Sequence, residues 1–198
     1  NVSLGVTTSN GCTHDTSGVI RVRPFVEAAF DINVSAGCSP LTVNITNSSS
    51  ATQYFWFWDD DNLDISNPDS SITAASFSKT YYNTSGTSRT HQLTLIVGNG
   101  QGCYDTLKRA VTVHSSINAG FIYDQPSACN PSDVLFTDTT FNSHTRKWDF
   151  GDGSSVENTI ATVNKQFTNT GDSDKPYLVT LTAITDKGCQ STASHTVT

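Results

Sequence analysis

Apolar and polar residues alternate in several short runs, among them Val2-x-Leu4-x-Val6, Leu93-x-Leu95-x-Val97 and Val179-x-Leu181-x-Ala183. A period of two puts every second side chain on one face, so each run predicts a strand with one buried and one wet face. Turn residues separate such runs: Asn10-Gly11, Asn99-Gly100-Gln101-Gly102 and Asp186-Lys187-Gly188. Glycine there supplies the positive φ of a tight hairpin, so these positions predict antiparallel pairs. Long helix-forming runs are missing, and almost no helix is expected.

The pattern repeats. Cys38-Ser39-Pro40 with Val43, Ile45, Thr46 and Asn47 overlays Cys129-Asn130-Pro131 with Val134, Phe136, Thr137 and Asp138 at a constant offset of 91, and Ala28-Ala29-Phe30 overlays Ala119-Gly120-Phe121 at the same offset. Farther on, Lys79, Tyr81, Asn83, Leu95, Gly102, Cys103 and Val111 overlay Lys165, Phe167, Asn169, Leu181, Gly188, Cys189 and Val197 at an offset of 86. The difference falls where a mid-domain loop can absorb it. Val2, Leu4, Gly11, Cys12 and Ile20 overlay Leu93, Leu95, Gly102, Cys103 and Val111. The expected organisation is therefore the last hairpin of an upstream repeat over 1–24 and complete repeats over 25–115 and 116–198, with almost no linker between them. About seven strands per unit suits a two-sheet sandwich.

The most specific segment is Trp148-Asp149-Phe150-Gly151-Asp152-Gly153. It resembles the central signature of PKD (polycystic kidney disease) domains, and the apolar strand before it and the Tyr177-x-Val179-x-Leu181 run after it fit that family. Trp148 and Phe150 point the same way on one strand and can anchor a core, while the glycines permit a sharp turn that Asp149 and Asp152 can brace. The counterpart in the earlier repeat is Trp56-Phe57-Trp58-Asp59-Asp60-Asp61-Asn62, with Trp56 for Trp148 and Trp58 for Phe150. Both glycines are aspartates there, so a different turn after Trp58 is expected. Alternation places Tyr54, Trp56 and Trp58 inward and Phe55 and Phe57 outward.

The resemblance implies tandem immunoglobulin-like β-sandwiches and an extracellular spacer or adhesion role without catalysis. Gly37-Cys38-Ser39-Pro40, Gly102-Cys103 and Gly188-Cys189 are similar to cysteine-bearing repeats of large surface proteins in bacteria with type IX secretion, including gliding-motility adhesins. The partners so implied are neighbouring repeats, surface polysaccharide and other cell-surface proteins. Under that resemblance, Asp105-Thr106-Leu107 and Asp138-Thr139-Thr140 look like O-glycosylation tripeptides, with Thr106 and Thr139 as acceptors. The rival reading is a carbohydrate-binding or spacer module of a secreted depolymerising enzyme.

Charge and composition narrow the partners. A net charge of −7 with 11 Lys and Arg leaves little to neutralise a phosphate backbone, so nucleic acid and anionic membrane surfaces are poor partners. No stretch approaches the roughly 18 apolar residues of a membrane span, so no membrane insertion is expected. Nucleophile elbows, phosphate loops and dinucleotide fingerprints are missing, and the five histidines lack metal-site spacing. Asp59, Asp60, Asp61 and Asp64, with Asn62 and Asp69 nearby, offer oxygen ligands that leave calcium open, although EF-hand spacing is lacking and a solvated acidic loop is the expected reading. No other cofactor is implied.

Five cysteines without Cys-x-x-Cys pairs favour disulfides in an oxidising compartment. Repeat logic pairs Cys38 with Cys103 and Cys129 with Cys189. Topology points elsewhere, because the corner between the first two strands and the turn between the last two occupy opposite ends of such a sandwich. A strand spans some 17 to 20 Å, whereas bonded cysteines need Cα atoms within about 7 Å. Cys38 is therefore expected to meet Cys189 of the next unit, with the intradomain pairs as the alternative.

Overall fold

The computed structural model describes residues 1–59, 63–71, 76–124 and 130–198. Asp60, Asp61, Asn62 and Cys129 lie outside the described residues. Within them every regular element is a strand. Among the described residues no helix is long and apolar enough to cross a membrane.

β1 (Val2–Thr7) and β2 (Thr13–Gly18) form an antiparallel hairpin in which Leu4 faces Thr16. Seven strands follow: β3 (Phe30–Ile32), β4 (Ala36–Cys38), β5 (Leu41–Asn47), β6 (Gln53–Trp58), β7 (Ser76–Tyr81), β8 (Arg89–Gly98) and β9 (Tyr104–His114). They make sheets of order β3-β5-β7 and β4-β9-β8-β6. The next seven are β10 (Phe121–Tyr123), β11 (Ser132–Asp138), β12 (Thr145–Asp149), β13 (Ser155–Asn158), β14 (Thr162–Phe167), β15 (Tyr177–Ile184) and β16 (Gln190–Val197). Their sheets are β10-β11-β14 and β13-β12-β15-β16. A three-stranded sheet against a four-stranded one is the immunoglobulin-like sandwich. β4 departs from antiparallel pairing, running parallel to the end of β9 with Cys38 opposite His114.

By contact the chain divides into two compact units, Asn1–Asp31, Thr46–Ser76 and Gln92–Arg109 in one, and Ile32–Ile45, Phe77–His91 and Ala110–Thr198 in the other. In the first unit Phe30, Trp56, Leu93, Leu95 and Val97 are buried, and the Phe30 ring stands edge-on to Trp56 at 5.1 Å. In the second, Phe121 stands edge-on to Trp148 at 5.1 Å, within a core that includes Val134, Phe136, Phe150, Val179 and Leu181. Burying large rings from facing sheets is the main stabilising term of such a sandwich.

Two expectations from alternation need correction. Phe57 is fully buried rather than outward, whereas Trp58 and Tyr54 are only half-buried. The physical reason is a covered outer face: Thr94 and Ile96, opposite Phe57 and Phe55 on β8, are buried as well. A sheet covered on both faces has no wet side there, and period-two logic fails. In the β1–β2 hairpin, Val2, Leu4 and Val6 are all more than half exposed. Among the described residues these two strands pair only with each other.

Candidate functional site

The aspartate-braced turn follows β12. Trp148 and Phe150 are buried, and the chain then reverses through Gly151 at φ 72° and Gly153 at φ 90°. A Cβ on Gly151 would stand 2.6 Å from the Leu178 carbonyl oxygen, so both backbone angle and space require glycine there. Asp149 Oδ1 accepts the Gly151 amide at 2.9 Å, and Asp152 Oδ1 accepts the Ser154 amide and hydroxyl at 2.9 and 2.5 Å. Lys165 Nζ lies 2.6 Å from Asp152 Oδ2, donates to Ser154 Oγ, and sits 5.4 Å from the Phe150 ring. These side chains thus bond to one another and to the backbone of the turn.

Partial burial pushes the Asp152 carboxyl up, but hydrogen bonds from Lys165 and from Ser154, with the Lys165 charge, outweigh it and hold the carboxyl at about 2 against an ordinary 3.8. A depressed carboxyl contributes stability that is complete above its unfolded value and lost as pH falls through the folded one. Acid unfolding of this sandwich is therefore expected to draw on Asp152 between pH 3.8 and about 2. Lys165→Met should raise the acid midpoint read from tryptophan fluorescence. An unmoved midpoint would show that the ion pair contributes nothing.

At the corresponding place after Trp58 the expected change of turn does not occur at its first residue. Asp59 takes φ 63°, close to Gly151, because aspartate tolerates the left-handed region at modest cost. Its Oδ1 accepts the Gln92 amide at 2.6 Å. Asp69 Oδ2 caps Trp58, and Asp64 Oδ1 accepts the amide and hydroxyl of Ser66. The Ser66 hydroxyl, then its amide, lowers the Asp64 carboxyl. These acids brace backbone, and no group of three His, Cys, Asp or Glu side chains among the described residues is placed to hold a metal ion. The histidines are dispersed: His91 is buried beside Tyr81, His114 Nδ1 lies 2.9 Å from Ser88 Oγ, and His195 packs edge-on to Phe121. Thr106 and Thr139 are exposed.

Three hairpin turns share one construction. Thr8, Asn99 and Thr185 each donate a backbone amide to the carbonyl of the cysteine four residues on and accept that cysteine's amide with a side-chain oxygen. Gly11, Gly102 and Gly188 precede the cysteines at φ 82°, 87° and 80°. Cys189 is bonded to Cys38, with Cα atoms 5.6 Å apart, and both lie in the second compact unit. Cys12 is free and exposed, and Cys103 is free and half-buried.

Around that bond, sequence reasoning missed a polar scaffold. Asn83 is buried, its amide accepted by Ser39 Oγ and its Nδ2 donating to the carbonyls of Thr87 and Val113. Asn169 repeats this with Asn130 Oδ1 and the Ser173 carbonyl. The two asparagines were visible in the repeat, but a matched asparagine alone does not reveal what it holds. Arg146 and Asp138 were likewise missed, a pair at 2.6 Å in which a half-buried guanidinium meets a buried carboxylate and also donates to the Thr159 and Ser143 carbonyls.

These sheets, cores and turns define the immunoglobulin-like β-sandwich class. Residues 125–198 match the model of the PKD domain. Among solved structures, the PKD1 domain of the Vibrio cholerae metalloprotease PrtV is 27% identical, covering 41% of this chain and 94% of that one at a TM-score of 0.34. Three N-terminal domains of the bacteriophage RB49 highly immunogenic outer capsid protein (Hoc) match at 12% identity over 87% of this chain and 59% of that one, TM-score 0.31. The class 5 fimbriae chaperone CfaA matches at 11% identity over 86% and 99%, TM-score 0.25. No curated protein matches.

Proposed function

We propose that the chain is a non-catalytic, extracellular structural segment in which PKD-type sandwiches, with boundaries near 24/25 and 115/116, succeed one another as a spacer or adhesion array. The observation that carries this reading is the Cys38–Cys189 bond, which joins residues 151 positions apart and fits an oxidising compartment. The signature residues support it, since Asp149, Asp152 and Lys165 are spent on one another and on backbone. The parent would be a large surface protein of the gliding-motility, type IX-secreted kind, meeting neighbouring repeats, surface polysaccharide or other surface proteins. Exposed Thr106 and Thr139 would be open to a glycosyltransferase.

The test is surface shaving of intact source cells with protease, followed by non-reducing peptide mapping and intact-mass measurement. Release of peptides from this chain with Cys38 linked to Cys189 is the expected result. Peptides recovered only after lysis, with both cysteines alkylated as thiols, would overturn it.

A further inference from the structure

Among the described residues, Cys38 and Cys189 lie in a joint whose other attachments are the main chain and non-covalent contacts. On one side of it are β4, the end of β9 and the loop 83–88; on the other are the turn after β15 and the loop before β12. The first attachment is the main chain itself. Ser116 donates its amide to the Asn83 carbonyl, Ser115 Oγ accepts the Gly86 amide, and Ala119 donates to Ser191 Oγ. The second is a contact at Gly86, whose carbonyl accepts Asn142 Nδ2 at 3.1 Å, while the Phe141 ring would stand 3.1 Å from a Cβ placed there. Both attachments grip the same loop, 83–88. Rotation about the line joining them would stretch neither.

The third attachment is the disulfide, and it grips β4 instead. Beside it the joint is not packed solid: a cavity of about 260 Å³ is lined by Ser88, His114, Asn142, Asp186 and Lys187. Polar walls around an open gap do not resist rotation, because water replaces each contact as it opens. Resistance must come from a covalent tie off the axis.

We propose that the Cys38–Cys189 bond is a redox-sensitive lock on this joint, and that its reduction converts a fixed joint into a hinge running through the 115–119 link and the Gly86 contact. The chemistry is thiol–disulfide exchange: a thiolate such as glutathione attacks one sulfur, the other leaves as thiolate, and a second thiol completes release, giving two protein thiols and one oxidised glutathione. The lock deepens the structural role proposed above. Joint stiffness is measured in the purified chain, so its failure would leave the question of surface location untouched.

The experiment places spin labels on keto amino acids substituted at Ser78 and Glu157, exposed positions on β7 and β13. The distance distribution is read in the oxidised protein, after reduction with a phosphine, and in the Cys38→Ser/Cys189→Ser double variant. Tryptophan fluorescence reports whether the Trp56 and Trp148 cores stay native. One narrow peak in the oxidised protein, lost to a broad distribution in both reduced forms while fluorescence stays native, is the expected result. Equal widths in all three, or narrowness that survives reduction where the double variant does not fold, would overturn it.

Discussion

Replacing Cys38 and Cys189 together with serine is expected to lower the unfolding free energy by about 5 kcal/mol, the chain-entropy value for a loop of this size. The bond spans 151 positions, so it removes many open conformations of the unfolded chain. The effect depends little on the unfolding unit because the term is logarithmic: if only residues after Ser115 unfold, the loop shrinks to roughly 75 residues and the effect falls only to about 4.5 kcal/mol. Urea unfolding monitored by fluorescence and circular dichroism measures it. A loss near zero at unchanged m would mean that strain in the folded joint cancels the entropic gain.

Trp148→Ala should be nearly as costly, about 3 to 5 kcal/mol, through the cavity left by a fully buried indole. Phe121, Phe136 and the indole lie within 6 Å of one another, centroid to centroid, and rings wedged in that way cannot collapse into the gap. The indole Nε1 has no hydrogen-bond partner among the described residues, so the effect comes from volume and contact rather than from a lost bond. Trp148→Phe, which keeps most of the ring, should recover most of the stability. If alanine cost under about 1 kcal/mol, Trp148 would not be the core anchor.

The sheets were legible because two-residue periodicity and glycine turns are local signals, and both survive in β8, β15 and the hairpin turns. Trp148 and Phe150 could be assigned inward from the same logic. Phe57 could not, since the face it shares with Thr94 on β8 is buried too, and no periodicity within β6 reports a covered face. At Asp59 the exchange of glycine for aspartate keeps the left-handed backbone, while the rest of that turn, Asp60, Asp61 and Asn62, lies outside the described residues. The Asn83 scaffold and the Arg146–Asp138 pair stayed hidden because each joins residues distant in sequence through bonds to backbone oxygens. Such bonds leave no pattern in one chain.

The register of β4 against β9 has a consequence for how the chain would carry tension. Cys38 stands opposite His114, and the Ser39 amide donates to the His114 carbonyl, so the disulfide and the main chain leave the sandwich from neighbouring points at the same ends of parallel strands. Force arriving from the far side would be divided between two covalent routes. Because the strands run parallel and are drawn the same way, the hydrogen bonds between them would not be set against each other in shear. The load would pass into β9 and, through the short β4, into the chain leading to β3, sparing the ladder that a single attachment would peel open from its end.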